Sequence, residues 1–229
     1  MAIPSSIVSE KKTASKTQLA YDTILKKILN NEFPAGMFLS IRELSEQLNL
    51  SRTPIKDALS RLSFEGFVDH DPETGVVVSK VGLSDVLELY EVRFALESHA
   101  AYLAASRRSS EDIQKLQDYV NLQHECSNSN VVLANQDDDG FHIVLSRASR
   151  NSRLASQIEM TILQCRRAAI YQNQQNASRI QRSAEQHREI LHAIIQSDPD
   201  AARAAMSSHI NDVIATTKEL MLENYYMYK

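Results

Sequence analysis

The sequence predicts a mainly α protein in two parts: three helices and a β-hairpin at the N-terminus, joined to an all-α helical bundle. Three observations predict it. Five glycines and five prolines in 229 residues leave little material for the tight turns of a β-sandwich or a doubly wound sheet. A hydrophobic content of 43% with 24% charged residues is that of a chain able to bury a core. Apolar residues recur at helical spacing along most of the chain, with one Val- and Gly-containing break at 67–79.

Taken in order, residues 1–14 read as a frayed polar leader, 15–80 as the first domain, 81–84 as a linker and 85–229 as the bundle. The first helix starts at Ser15, where Ser15 and Gln18 fit a capping box, and shows Leu19, Ile24, Leu25 and Ile28 on its apolar face. Asn30, Asn31, Pro34 and Gly36 end it. A second helix starts at Ser40 with Glu43 at the reciprocal capping position, and Asn49 stops it. A third starts at Ser51 or Thr53, tolerates Pro54 in its first turn, buries Ile55, Leu59 and Leu62, and ends at Gly66. Residues 67–70 and 75–79 read as two strands joined by a turn through Asp71, Pro72, Glu73 and Thr74. Two helices joined by a three- or four-residue turn and followed by a hairpin make a helix-turn-helix with a wing. Beyond Gly82 six helices are expected, from about Ser84 to Arg107, Ser110 to Asn128, Val131 to Ser149, Arg153 to Gln174, Ala177 to Ser197 and Pro199 to the end. Their short breaks imply antiparallel neighbours.

Composition excludes several classes. No apolar run approaches the roughly 18–20 residues that span a bilayer, and the polar N-terminus has no signal-peptide core, so no membrane partner and a cytoplasmic location are expected. Cys126 and Cys165 are too few for a disulfide framework and read as free thiols. Residues 1–82 carry 10 basic and 10 acidic side chains, and the remainder 15 and 19. Any grip on nucleic acid must therefore come from local placement of charge.

That placement is found at the start of the third helix. Ser51, Arg52, Thr53 and Lys56 cluster there, with Arg42 at the start of the helix before it. A recognition helix needs polar and basic residues at its N-terminal end to reach base edges in a major groove. Arg42 and Arg52 can donate bidentately to a guanine edge, while Ser51 and Thr53 suit phosphate. The competing reading is that these charges pair with Glu43, Glu46 and Asp57 at the surface. The wing is acidic at Asp69, Asp71 and Glu73, and its Thr74-Gly75 tip is the part able to approach a phosphate closely. The run from Pro34 to Val68, with Ser51-Arg52-Thr53-Pro54-Ile55-Lys56 and Glu65-Gly66-Phe67-Val68 in place, resembles the GntR family of winged-helix regulators. The family usually carries Arg where Lys56 stands. The resemblance implies binding to double-stranded operator DNA. A homodimer is expected, because one recognition helix reads half a palindromic site.

In the second half, His142, His187 and His209 each lie on an apolar helical face: His142 with Phe141 and Leu145, His187 with Ile190, Leu191 and Ile194, His209 with Met206, Ile210 and Val213. Asp138 stands four residues before His142, on the same face. One carboxylate and three imidazoles converging in a bundle core suit a divalent transition metal, zinc first, with nickel, manganese or iron as alternatives. Asp137 and Asp139 could substitute as ligand, but the spacing favours Asp138. Satisfied core histidines are the competing reading. His70, His99, His124 and His192 lack the pattern.

Arg93 is a cation in the otherwise apolar stripe Val86, Leu89, Leu96, Ala100 and Leu103, and needs an anionic partner. Glu97 one turn away is one candidate; the carboxylate of a small effector is the other. Residues 89–97, then 138–151, 185–190 and 206–210 resemble the FCD domain, the ligand-sensing half of the FadR branch of the GntR family, although Gln186 stands before His187 where the family commonly has Glu. The resemblance implies a regulator, expected to be a repressor released by ligand, with Arg93 on the effector and Asp138, His142, His187 and His209 on the metal. A metal-dependent hydrolase-like enzyme and a pure metal sensor without organic effector are the alternatives. No general base, nucleophile–base pair or Gly-rich phosphate loop supports catalysis.

Overall fold

The computed structural model describes residues 15–71, 75–126, 131–171 and 177–227. The expected leader, the turn at 72–74 and the loop at 172–176 lie outside them. The chain divides into two compact units, residues 1–80 and 81–229.

In the first unit, α1 (Lys16–Leu29), α2 (Ile41–Leu48) and α3 (Arg52–Phe64) precede the antiparallel strands β1 (Val68–Asp71) and β2 (Gly75–Val78), paired from Val68 opposite Val78 to Asp71 opposite Gly75. Ser15 caps α1 by accepting from the Gln18 N–H, and Ser40 caps α2 by accepting from the Glu43 N–H. Asn49 ends α2 in the left-handed region at φ 50°, where a short side chain able to bond locally is tolerated. The segment at 36–39 adds itself to the hairpin: Gly36 N–H donates to Val78 O, Val78 N–H to Met37 O and Leu39 N–H to Val76 O. This third rung was not expected from the sequence, where Pro34 and Gly36 signal only a break.

The core of this unit gathers Ile24, Ile28, Leu44, Ile55, Leu59, Leu62, Phe67 and Val78. Leu19 is a correction to the expected apolar face. It is 52% exposed, because the buried face of α1 runs through Ala20, Tyr21, Ile24, Leu25 and Ile28. Positions 20 and 21 lie one turn before Ile24, whereas 19 lies beyond that turn. Tyr21 ties α1 to α3. Its hydroxyl donates to Glu65 Oε2 at 2.5 Å, and the Arg61 guanidinium lies 3.8 Å above its ring while Nε donates to Glu65 Oε1. Tyr21→Phe is expected to destabilise this unit by about 1–2 kcal/mol, the net worth of a hydrogen bond to a charged acceptor, read as a lower urea midpoint at unchanged slope.

The second unit is all helix: α4 (Leu83–Arg107), α5 (Ser110–Cys126), α6 (Val131–Ala148), α7 (Ser152–Tyr171), α8 (Ala177–Ile195) and α9 (Pro199–Met227). Helix α4 begins inside the segment expected as a linker, where the Asp85 carboxylate accepts from the Gly82 N–H at 2.7 Å. Ala100, Ala101, Ala104 and Ala105 of α4 are fully buried, and such small residues let neighbouring helices approach its backbone. Leu116, Val120, Phe141, Leu145, Ile158, Ile162, Ile190, Ile194, Met206 and Ile210 complete the core. Arginines tie down the ends: Arg107 donates to Ser149 O, Arg108 to Ile195 O and to Ser197, and Arg150 pairs with Asp112. Cys165 is a buried free thiol, and burial pushes it up to about 11.

Helix α6 carries a glycine at its most crowded point. A Cβ on Gly140 would lie 2.3 Å from Cε1 of the Tyr119 ring, which therefore rests directly on the α6 backbone. Asp138 and His142 stand two residues to either side of this contact.

Candidate metal centre and nucleic-acid interface

His142 on α6, His187 on α8 and His209 on α9 are each at most 1% exposed, and one ring nitrogen from each comes within 4.8 Å of the others. Nε2 of His142 and Nε2 of His187 face each other at 3.2 Å. Asp138 joins them, with Oδ2 3.8 Å from His142 Nε2 and Oδ1 3.8 Å from His187 Nε2. The structure thus brings together all four residues singled out as ligands. Among the described residues His99 stacks on Tyr102, and His70 and His192 are exposed, away from this cluster.

The outward nitrogens show what the inner ones carry. His142 Nδ1 lies 2.5 Å from Glu97 Oε2, His187 Nδ1 lies 2.9 Å from Gln123 Oε1, and His209 Nδ1 lies 2.9 Å from Gln186 Oε1. The Gln123 and Gln186 oxygens can only accept, so Nδ1 of His187 and of His209 carries the proton. The bare Nε2 of His187 then faces His142 Nε2 at 3.2 Å, and His209 Nε2 is buried with no hydrogen-bond partner among the described residues. Either a proton or a cation relieves this arrangement. Burial and the neighbouring imidazoles drive His209 down to about 3 and His187 well below its ordinary value, so at neutral pH these two remain unprotonated. For Asp138, burial opposes the charge, but His187, His142, His209 and the Ser183 hydroxyl outweigh it and hold the carboxyl well below its usual range. Three imidazole nitrogens and an ionised carboxylate fit a divalent transition metal.

Arg93 meets Glu97, the nearer of the two anionic partners expected for it. Its Nε donates to Glu97 Oε1 at 2.5 Å, both side chains are buried, and Glu97 in turn reaches His142. Burial opposes ionisation of Glu97, yet Arg93 and His142 hold it well below the carboxylate range. Arg93, Glu97 and His142 form one connected chain that ends at the candidate ligand cluster. Asp139 points elsewhere, pairing with Arg166 at 2.6 Å; burial raises it to about 6 against the pull of that guanidinium.

Sequence reasoning missed Gln123 and Gln186 as partners of the ligands and saw Glu97 only as a partner for Arg93. A weak signal existed for Gln123, which continues the buried stripe of Leu116 and Val120 as its one amide. Gln186 was visible as a departure from the family pattern, and here it accepts from His209.

In the first unit, Ser51, Arg52, Thr53 and Lys56 are all exposed on the first turns of α3, while Pro54 and Ile55 beside them are buried. Ser51 occupies the N-cap position with no side-chain cap hydrogen bond, leaving its hydroxyl to other partners. Among the described residues Arg52 and Lys56 make no ion pair, against the surface-pairing alternative. Arg42 does pair, with Glu46 at 3.0 Å, but both are largely exposed and such a pair is worth well under 1 kcal/mol. Gly75 is exposed at φ +95°, a conformation that favours glycine, and a Cβ there would sit 3.1 Å from the Phe38 ring.

Among the described residues no helix is long and apolar enough to cross a membrane. The family of bacterial regulatory proteins called gntR matches residues 16–78, and the FCD domain family matches residues 88–212. The Nta operon transcriptional regulator of Aminobacter aminovorans is 30% identical over 178 residues, covering 78% of this chain and 83% of that protein. An uncharacterized HTH-type transcriptional regulator of Agrobacterium vitis is 37% identical over 89 residues; the match covers 39% of this chain and 52% of that one, about half its length. Among solved structures, E. coli McbR/YncC superposes with a TM-score of 0.78 over 95% of this chain and all of that one, at 20% identity, a likeness of fold. With a helix-turn-helix matched at one end and the histidine-bearing bundle at the other, the chain belongs to the GntR family as a transcription regulator with an FCD domain.

Proposed function

We propose that this regulator binds a palindromic operator as a homodimer and that its affinity for the operator is set by a small carboxylate bound beside a divalent metal in the helical bundle. The observation that carries the sensing half is the convergence of three buried imidazoles, His142, His187 and His209, beside the Asp138 carboxylate. When bound, the metal supplies open coordination positions that a carboxylate or water can take. His142, His187, His209 and Asp138 hold it, zinc being the first candidate and nickel, manganese and iron the others. Glu97, Gln123 and Gln186 keep the imidazoles in the ligating tautomer. A clamping role for Arg93 requires the effector to share or displace Glu97, which now occupies it. Effector and operator sites are linked by a coupling free energy, with ligand lowering operator affinity as the proposed sign.

In the DNA-binding half, Arg52 and Lys56 provide exposed cations at the start of α3 that make no ion pair among the described residues, and Ser51, Thr53, Arg42 and the Gly75 tip of the wing are assigned to the duplex as well. Arg52→Ala is expected to weaken binding by about 1–3 kcal/mol and to blur base preference at one position of each half-site. The measurement is a gel-shift titration at matched salt, on duplexes that the parent protein selects from a randomised pool. Equal affinities for the parent and Arg52→Ala proteins would remove Arg52 from the interface.

A further inference from the structure

We infer that Gln123 of α5, its amide held between Asp138 and His187, is the positioning residue that fixes the ligating tautomer of His187. The inference rests on the proposed metal centre and adds to it a mechanism for keeping the site ready.

The reasoning follows from which groups can donate. Asp138 Oδ1 accepts from the Ser183 hydroxyl, so its neighbour on the other side must donate to it. Gln123 Nε2 lies 2.9 Å from Asp138 Oδ1, and an amide nitrogen can only donate. The orientation of the Gln123 amide is therefore dictated by Asp138. Its carbonyl Oε1 is then left facing His187 Nδ1 at 2.9 Å, and an oxygen there can only accept. His187 must carry its proton on Nδ1, and Nε2 must be the bare nitrogen that faces His142. Reversing the amide would set a carbonyl against the carboxylate and an N–H against the ring, losing both bonds in a site where unpaired polar groups are costly.

Gln123 is 1% exposed, so water cannot replace either bond. The same amide also settles which carboxylate oxygen is free. Asp138 Oδ1 accepts from both Gln123 and the Ser183 hydroxyl, the latter at 2.7 Å, which leaves Oδ2 for a metal. Helix α5 carries none of the four candidate ligands, yet through this one amide it fixes candidates on α6 and α8. The neighbouring contact of Tyr119 with the α6 backbone at Gly140 holds α5 at the distance the two bonds need.

The test has two arms. In the metal-free full-length chain, long-range proton–nitrogen NMR correlations report the tautomer of each imidazole. His187, identified by the signal lost in His187→Ala, is expected as the Nδ1–H form; finding the Nε2–H form overturns the inference without any variant of Gln123. In the second arm, Gln123→Met keeps the volume and removes both hydrogen bonds. It is expected to turn His187 into a mixture of tautomers and to weaken zinc binding by about 10–100-fold in a chelator competition. A Gln123→Met protein with a pure Nδ1–H His187 and zinc affinity within about threefold of the parent contradicts it. Gln123→Glu restores an acceptor to His187, and recovery of the Nδ1–H form there separates hydrogen bonding from packing. A parent chain that binds no zinc would instead refute the metal centre, while the tautomer arm still decides the role of Gln123.

Discussion

Replacing His187 with Ala is expected to abolish the rise in melting temperature that zinc produces in the parent protein. A ligand that binds only the folded state stabilises it by RT ln(1 + [L]/Kd), about 2.7 kcal/mol at a hundredfold excess over Kd and about 4.1 at a thousandfold. In a unit of this size each kcal/mol moves the midpoint by about 2–4 °C, so the parent should gain roughly 5–16 °C. The comparison must be made within each variant, with and without zinc, because the substitution has a cost of its own. His187 is fully buried and stacks on Phe141 with ring centroids 4.1 Å apart, and removing it leaves a cavity. That cost cancels in the zinc-induced difference. The central position of His187 explains why one change suffices: its Nε2 faces both His142 and Asp138, so its loss deprives the site of the donor shared between its two sides. A zinc shift in His187→Ala equal to that of the parent would show that the ion binds elsewhere.

Gly140→Ala is expected to destabilise the helical unit and to weaken the metal centre, although alanine is the better helix former. Helix propensity alone would favour the change by about 1 kcal/mol. Against it stands a methyl group placed 2.3 Å from Cε1, 2.6 Å from Cζ and 2.8 Å from Cδ1 of Tyr119. Such contacts cannot be kept. Either the ring leaves its place or α5 and α6 separate, at a cost of about 1–3 kcal/mol or more for overpacking. Since α6 carries Asp138 and His142, and α5 carries Gln123, separation also pulls the ligands from their supports. The double change Gly140→Ala with Tyr119→Ala removes the overlap and is expected to show a favourable coupling relative to the two single changes. Denaturant unfolding of the four proteins measures it. A Gly140→Ala protein at least as stable as the parent would mean that Tyr119 has free room to turn aside.

Much of this molecule can be read from its sequence because the relevant signals are local. Ser15 and Ser40 start helices where their side chains satisfy free N–H groups three residues ahead, and the apolar spacing of each helix names the face that turns inward. Asp138 and His142 share a face because four residues make about one turn. His187 and His209 stand out as imidazoles among isoleucines and methionines. The family motifs around Arg52 and Asp138 add their own specificity.

Other features were illegible for equally physical reasons. Leu19 was placed on the buried face, and a shift of one residue in the core-facing stripe put it in solvent. Arg93 could be recognised as a buried cation, but whether Glu97 or a ligand would meet it depended on side-chain rotation and on His142, which lies 45 residues further on in another helix. The roles of Gln123 and Gln186 depended on partners 64 and 23 residues away. The sequence by itself determined the two-part helical architecture, the exposed basic start of α3 and the identity of the four candidate ligands, since periodicity and capping act within a turn or two of chain. The tertiary structure decided which nitrogen of each histidine faces inward, because the crossing of α4, α5, α6, α8 and α9 places the acceptors that hold the outward protons.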